Sequence, residues 1–156
     1  MTELAEGATA PSFSLPRDGG GTVSLGDFAG KPVVLYFYPK DDTSGCTTEA
    51  IAFTALADAF ADAGVAVIGM SPDSPKKHDK FIAKHELSVI LASDEARSTL
   101  EAYGVWKEKS MYGRKYMGVE RSTFLIGKDG KILKVWHKVK VPGHAEEVLQ
   151  AAQSIS

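Results

Sequence analysis

Pro32-Val33-Val34-Leu35-Tyr36-Phe37-Tyr38-Pro39-Lys40-Asp41-Asp42-Thr43-Ser44-Gly45-Cys46-Thr47-Thr48-Glu49 is the stretch on which the fold turns. Its first seven residues are continuously apolar, β-branched or aromatic, as a central strand covered on both faces requires. Pro39 ends the run. After a polar turn, Ala50, Phe53, Leu56, Ala57 and Phe60 recur at helical spacing as far as Gly64. Val65-Ala66-Val67-Ile68-Gly69-Met70 then supplies a second buried strand. Strand, helix and strand together make a βαβ unit.

Working outward from that unit, the pattern predicts a helix over 75–86, a strand over 87–91 and a short helix over 96–103. Residues 104–118, rich in Gly, Lys and aromatics, read as a loop long enough to be functional or mobile. Strands at 123–126 and 132–136 flank Lys128-Asp129-Gly130-Lys131, whose Asp-Gly pair signals a hairpin, and a helix over 144–152 ends the chain. At the other end, Ser12-Phe13-Ser14-Leu15 and Thr22-Val23-Ser24-Leu25, separated by Gly19-Gly20-Gly21, predict a β-hairpin decorating an edge. No repeat, low-complexity tract or linker divides the chain, so one domain is expected over 1–156. The element order is that of an α/β, thioredoxin-like fold: a central mixed β-sheet flanked by helices, with an N-terminal β-hairpin.

A chain of 156 residues with 44% apolar content is large enough for one respectable core. Its 18 basic and 20 acidic residues are well mixed, with a net charge of −2. No basic stripe offers itself to nucleic acid or to an anionic membrane. The start, Met1-Thr2-Glu3-Leu4-Ala5-Glu6, is acidic where a signal peptide is basic, and no apolar run reaches membrane-spanning length, so the expected address is cytoplasmic. A lone cysteine can form neither an internal disulfide nor a thiolate zinc site.

That cysteine falls at the strand-to-helix junction. With Thr43 as N-cap, Cys46 is the third helical residue, and the Thr43 side chain is expected to accept from its backbone N–H. Unsatisfied amides and the positive end of the helix dipole favour the thiolate, which is the reactive form. A sulfur nucleophile attacking a peroxide needs donors for the charge that builds on the departing oxygen, and the Thr43 hydroxyl and nearby amides can supply them. The plain alternative is a small buried hydrophobe. Against it, Gly45, Thr47 and Thr48 flank the thiol, which precedes the apolar stripe of the helix instead of belonging to it.

Pro39, Thr43 and Cys46 match the P-x-x-x-T-x-x-C signature of peroxiredoxins. The longer string from Tyr36 to Ala50 resembles the bacterioferritin-comigratory or Q-type subfamily of the AhpC-TSA superfamily. Tyr103-Gly104-Val105-Trp106, Met111-Tyr112-Gly113 and Arg121-Ser122-Thr123-Phe124-Leu125-Ile126 follow in the family's order, so the resemblance covers nearly the whole chain. It implies a thiol-dependent peroxidase that reduces hydrogen peroxide and organic hydroperoxides to water or alcohols without a cofactor or metal. Cys46 is then the nucleophile that becomes a sulfenic acid, Thr43 orients the peroxide, Pro39 shields the pocket, and Arg121 is the active-site arginine. A guanidinium suits that role, being always charged and rich in donors. The resemblance also leans towards a monomer or weak homodimer.

Many Q-type relatives carry a second, resolving cysteine. Here Ile51 occupies one of its positions, and Lys80-Phe81-Ile82-Ala83-Lys84 lacks it in the other region. The implied mechanism is one-cysteine: the sulfenic acid condenses with thioredoxin, glutaredoxin, glutathione, another small thiol or Cys46 of a second molecule. Easier overoxidation to sulfinic acid is expected as well.

Two other readings compete. A thioredoxin-type disulfide oxidoreductase needs a Cys-x-x-Cys pair, and Glu49 stands where its second cysteine belongs. A non-catalytic redox sensor or thiol-dependent binding module, using the same cysteine, consumes one equivalent of peroxide and stops. His78 and His85 show no ligand spacing and are expected on partly exposed helix positions, and Lys76, Lys77, Lys80 and Lys84 on a solvated face. Trp106, Met111, Tyr112, Tyr116 and Met117 either cover a pocket, meet a partner or pack in a core. Gly19-Gly20-Gly21 lacks the Lys-Ser/Thr of a phosphate loop.

Overall fold

A computed structural model describes residues 4–155; Met1-Thr2-Glu3 of the acidic start and Ser156 lie outside the described residues. In chain order the elements are β1 (Ser14–Pro16), β2 (Thr22–Ser24), β3 (Val33–Phe37), α1 (Ser44–Ala55), α2 (Ala57–Asp62), β4 (Ala66–Ser71) and α3 (Pro75–His85). There follow β5 (Ile90–Ser93), α4 (Ser98–Ala102), β6 (Trp106–Met111), β7 (Arg114–Val119), β8 (Ser122–Ile126), β9 (Ile132–Trp136) and α5 (His144–Ser154). Five strands form the central sheet in the order β5-β4-β3-β8-β9. The apolar run of β3 takes the middle place, parallel to β4 and antiparallel to β8.

Alternation along β3 divides the core in two. Val33, Leu35 and Phe37 face one cluster, with Phe13, Leu100, Tyr103 and Phe124. Val34, Tyr36 and Tyr38 face the other, with Phe53, Phe60, Phe81 and Val148 from the helices. Each fully buried large apolar side chain contributes about 1.5–3 kcal/mol, so the double-sided burial of β3 fixes the sheet's centre and, with it, the position of the segment that leaves its end.

The N-terminal hairpin forms as β1 and β2. Its turn docks on the outer strand, where Asp18 exchanges hydrogen bonds with Leu91, and on α3, where Gly19 N donates to Asp79 at 2.7 Å. The predicted long helix is divided at Leu56 into α1 and α2, a break for which the sequence offers no signal. The strand expected at 87–91 pairs later, over β5, while Leu87 and Val89 are buried in the approach to it.

The segment 104–118 is not a loop. It forms most of a two-stranded hairpin, β6 and β7, whose register runs from Trp106↔Val119 to Met111↔Arg114. Tyr112 and Gly113 make the turn with φ of 52° and 78°, the doubly left-handed geometry of a tight hairpin. The strands escape a periodicity reading because residues 111–117 are exposed on both faces, so no apolar alternation marks them.

Candidate active site

Thr43 precedes α1 in extended conformation, and Cys46 is the third residue of the helix. Two details differ from expectation. The Thr43 hydroxyl does not cap the helix; it donates to Lys40 O at 2.8 Å, and no side chain among the described residues caps the first turn. Its single proton is thereby committed, leaving its lone pairs to accept. Cys46 also belongs to the buried stripe it was expected to precede: Cys46, Glu49, Ala50 and Phe53, at helical spacing, are the buried residues of α1, and Cys46 is 2% exposed. Pro39 follows the buried end of β3 and is half-buried in the turn that leads to Thr43.

Arg121, immediately before β8, reaches the sulfur. Its Nη2 donates to Cys46 Sγ at 3.2 Å, and its Nη1 donates to Glu49 Oε1 at 2.6 Å. The guanidinium passes over Gly45, where a Cβ would lie 3.2 Å from Nη2. Burial works against the Arg121 charge, but Glu49 and Cys46 more than offset it and hold the group above its ordinary value.

Glu49 is a candidate site residue that the sequence reading did not single out. It lies one helical turn beyond Cys46 and is 1% exposed, with Oε2 lacking a partner among the described residues. The available signal was a carboxylate at i+3 on an otherwise apolar stripe. Burial pushes its carboxyl up from 4.5 to about 7, against the pull of Arg121. Because the folded value exceeds the unfolded one, this group's contribution to stability is fully present below about 4.5 and is lost as pH rises through 7. Relative to a Glu49→Gln variant, the protein should therefore lose about 3 kcal/mol of unfolding free energy between pH 4 and pH 8. Urea unfolding of both proteins across that range checks the prediction; parallel profiles would refute it.

The segment ahead of Cys46 is anchored from below. Tyr38 Oη donates to Asp41 Oδ1 at 2.6 Å, Asp41 N donates to Asp73, and Asp41 Oδ2 lies 2.6 Å from His78 Nδ1. His78 Nε2 lies 3.0 Å from Ala92 O. The expectation of a partly exposed His78 was wrong: it is fully buried, and both its nitrogens face oxygens. His85 is half-buried and bonds Asp42, as does Lys84. The two aspartates of the segment thus fasten it to α3. His78→Gln, which keeps at most part of this bonding, should cost about 2 kcal/mol, the scale of a hydrogen bond to a charged group. Thermal unfolding tests this, and an unchanged midpoint would contradict it.

Beside Arg121 opens a cavity of about 550 Å³ lined by Lys107, Glu108, Lys109, Glu120, Arg121, Lys138 and Val139. Burial acts against the Glu120 carboxylate, yet hydrogen bonds from Lys107, Ser122 and His137 hold it below the usual range. In the adjoining hairpin Trp106 is half-buried under Arg97, whereas Met111, Tyr112, Tyr116 and Met117 are exposed. The structure thus brings Cys46 and Arg121 into contact, seats Thr43 and Pro39 in the turn before the sulfur, and adds Glu49.

Residues 7–135 match the model of the AhpC/TSA family. Among curated proteins, Peroxiredoxin Bcp of Bacillus subtilis is 50% identical over 150 residues, covering 96% of each chain. Among solved structures, a cysteine-to-serine mutant of Xylella fastidiosa PrxQ superposes with a TM-score of 0.93 at 40% identity, covering 99% of both chains. The Xanthomonas campestris bacterioferritin comigratory protein, whose trapped complexes concern alkyl peroxide reduction, superposes with a TM-score of 0.88 at 45% identity over 92% of this chain and 90% of that one.

Proposed function

This chain belongs to the AhpC/TSA family and is a peroxiredoxin of the Bcp or Q type, a thiol-dependent peroxidase; from that premise we propose that Cys46 carries the reaction as its sole redox sulfur. The observation that carries this reading is the 3.2 Å hydrogen bond from Arg121 Nη2 to Cys46 Sγ at the uncapped first turn of α1. The Cys46 thiolate attacks one oxygen of hydrogen peroxide or of an organic hydroperoxide. An S–O bond forms, the O–O bond breaks, and the departing oxygen leaves as water or alcohol once it has taken a proton. Arg121 and the first-turn amides face the developing negative charge. Thr43, its proton already given to Lys40 O, accepts from the peroxide O–H and so orients it. Pro39 limits access of water.

The product on the enzyme is a sulfenic acid, and Cys46 is a lone, buried cysteine. Its reduction falls to an external thiol such as thioredoxin, glutaredoxin or glutathione. These are abundant in the cytoplasm, which is the compartment proposed, and a monomer or weak homodimer suffices for the chemistry. The test is mass spectrometry of Cys46 after one equivalent of peroxide, with and without a sulfenic-acid trap. A trapped adduct on Cys46 is expected. Under excess peroxide without thiol, sulfinic acid should accumulate; a protein that stays free of both products would overturn the reading.

A further inference from the structure

We propose that the cavity beside Arg121 is the entry for a small anionic thiol, whose carboxylate is drawn by Lys109 and Lys138 towards the oxidised Cys46. The inference rests on the peroxidase reading above and names the class of its reductant. Arg121 is common to the cavity lining and to the sulfur. Of the other cations in the lining, Lys107 is compensated by Glu120 at 3.1 Å, and Glu120 also receives Ser122 and His137. Glu108 turns to Lys115 at 3.6 Å. The side chains of Lys109 and Lys138 make no hydrogen bond or ion pair among the described residues; Glu120 lends Lys109 some favourable field, but its oxygens are bonded to Lys107, Ser122 and His137, so the cavity carries two cations without a direct carboxylate partner.

Lys109 is the more telling of the two. It is half-buried on β6, opposite Tyr116 on β7, and its stem crosses Gly118 so closely that a Cβ there would lie 3.3 Å from Lys109 Cδ. Burial and the neighbouring Arg121 push its ammonium below the ordinary value. A bound anion relieves the second of these and offsets the first. A cavity of about 550 Å³ suits a ligand of small-peptide size. A sulfur only 2% exposed suits a slender thiol better than the broad face of a protein.

The chemistry balances without a further reagent. The anionic thiolate attacks the sulfenic sulfur, an S–S bond forms, and the S–O bond breaks with its oxygen leaving as water after gaining a proton. A second thiol molecule cleaves the mixed disulfide, returning Cys46 as thiol and releasing the symmetrical disulfide. Two thiols are oxidised for each peroxide reduced.

The test compares 3-mercaptopropionate with 3-mercaptopropionamide, which differ in the charged group alone, as reductants of Cys46 oxidised by one equivalent of hydrogen peroxide. Rates are taken per thiolate. The carboxylate should react about tenfold faster at low ionic strength, and its advantage should shrink several-fold near about 0.3 M salt. In the Lys109→Met/Lys138→Met double variant the ratio should approach one. The ratio is the readout because a general loss of fold or reactivity slows both thiols alike. Equal rates in the unmodified protein at low salt, or an unchanged ratio in the variant, overturn the proposal while leaving the peroxidase intact. So does failure of both thiols where dithiothreitol succeeds. No oxidation of Cys46 by peroxide at all overturns the peroxidase reading instead, and the assignment of the cavity with it.

Discussion

The Cys46→Ser protein should consume no peroxide above the uncatalysed background while remaining folded. Cys46 is the chain's sole cysteine, so no second thiol can take its place. A serine hydroxyl is a weak nucleophile at neutral pH without an adjacent base, and its oxygen cannot be oxidised to a sulfenic-acid equivalent. Replacing buried sulfur by oxygen leaves Arg121 Nη2 with an acceptor and alters the volume little. Peroxide consumption in the presence of dithiothreitol, alongside near-ultraviolet circular dichroism, separates chemistry from folding. Residual turnover by folded serine protein would mean that some other group carries the reaction.

Arg121→Met should slow oxidation of Cys46 by about 10³-fold, the upper part of the range for removing a preorganised donor at a developing charge. The guanidinium holds both sulfur and Glu49 Oε1, so the substitution acts twice. The sulfur loses its donor, and Glu49 is left buried with no cation. Arg121→Lys retains charge but not the fork that spans two acceptors, and should recover about a tenth of the lost rate at most. If Glu49 acts on the sulfur through its ion pair with Arg121, adding Glu49→Gln to Arg121→Met should change the rate far less than it does alone. Stopped-flow oxidation rates of the unmodified protein, Arg121→Met, Glu49→Gln and the double variant measure this coupling; additive effects would show that Glu49 has a separate role.

Much of the architecture was legible because it is written in local patterns. The apolar run of β3, the apolar spacing of the following helix and the Asp129-Gly130 pair each report an element through its own residues. So does the clustering of Pro39, Thr43 and Cys46, which marks the proposed nucleophile and its neighbourhood. What stayed hidden depends on contacts between distant parts of the chain. His78 looks like a helix-surface residue until Asp41 and Ala92 O are brought to its two nitrogens. Thr43 has the right type for an N-cap, but the carbonyl of Lys40 competes successfully for its hydroxyl. Cys46 and Glu49 share the buried stripe of α1, a placement that flanking polar residues disguised. The β6–β7 hairpin was illegible because its outer part buries neither face, so its cue lay in Tyr112-Gly113 alone.

The most direct measurement is the number of hydrogen peroxide molecules consumed per Cys46, with the initial rate of thiol loss compared with that of free cysteine. With dithiothreitol present, rapid loss of one thiol per chain should be followed by many turnovers that continue until peroxide or reductant is exhausted. Consumption that stops at one equivalent, at a rate no greater than free cysteine's, would contradict the peroxidase reading.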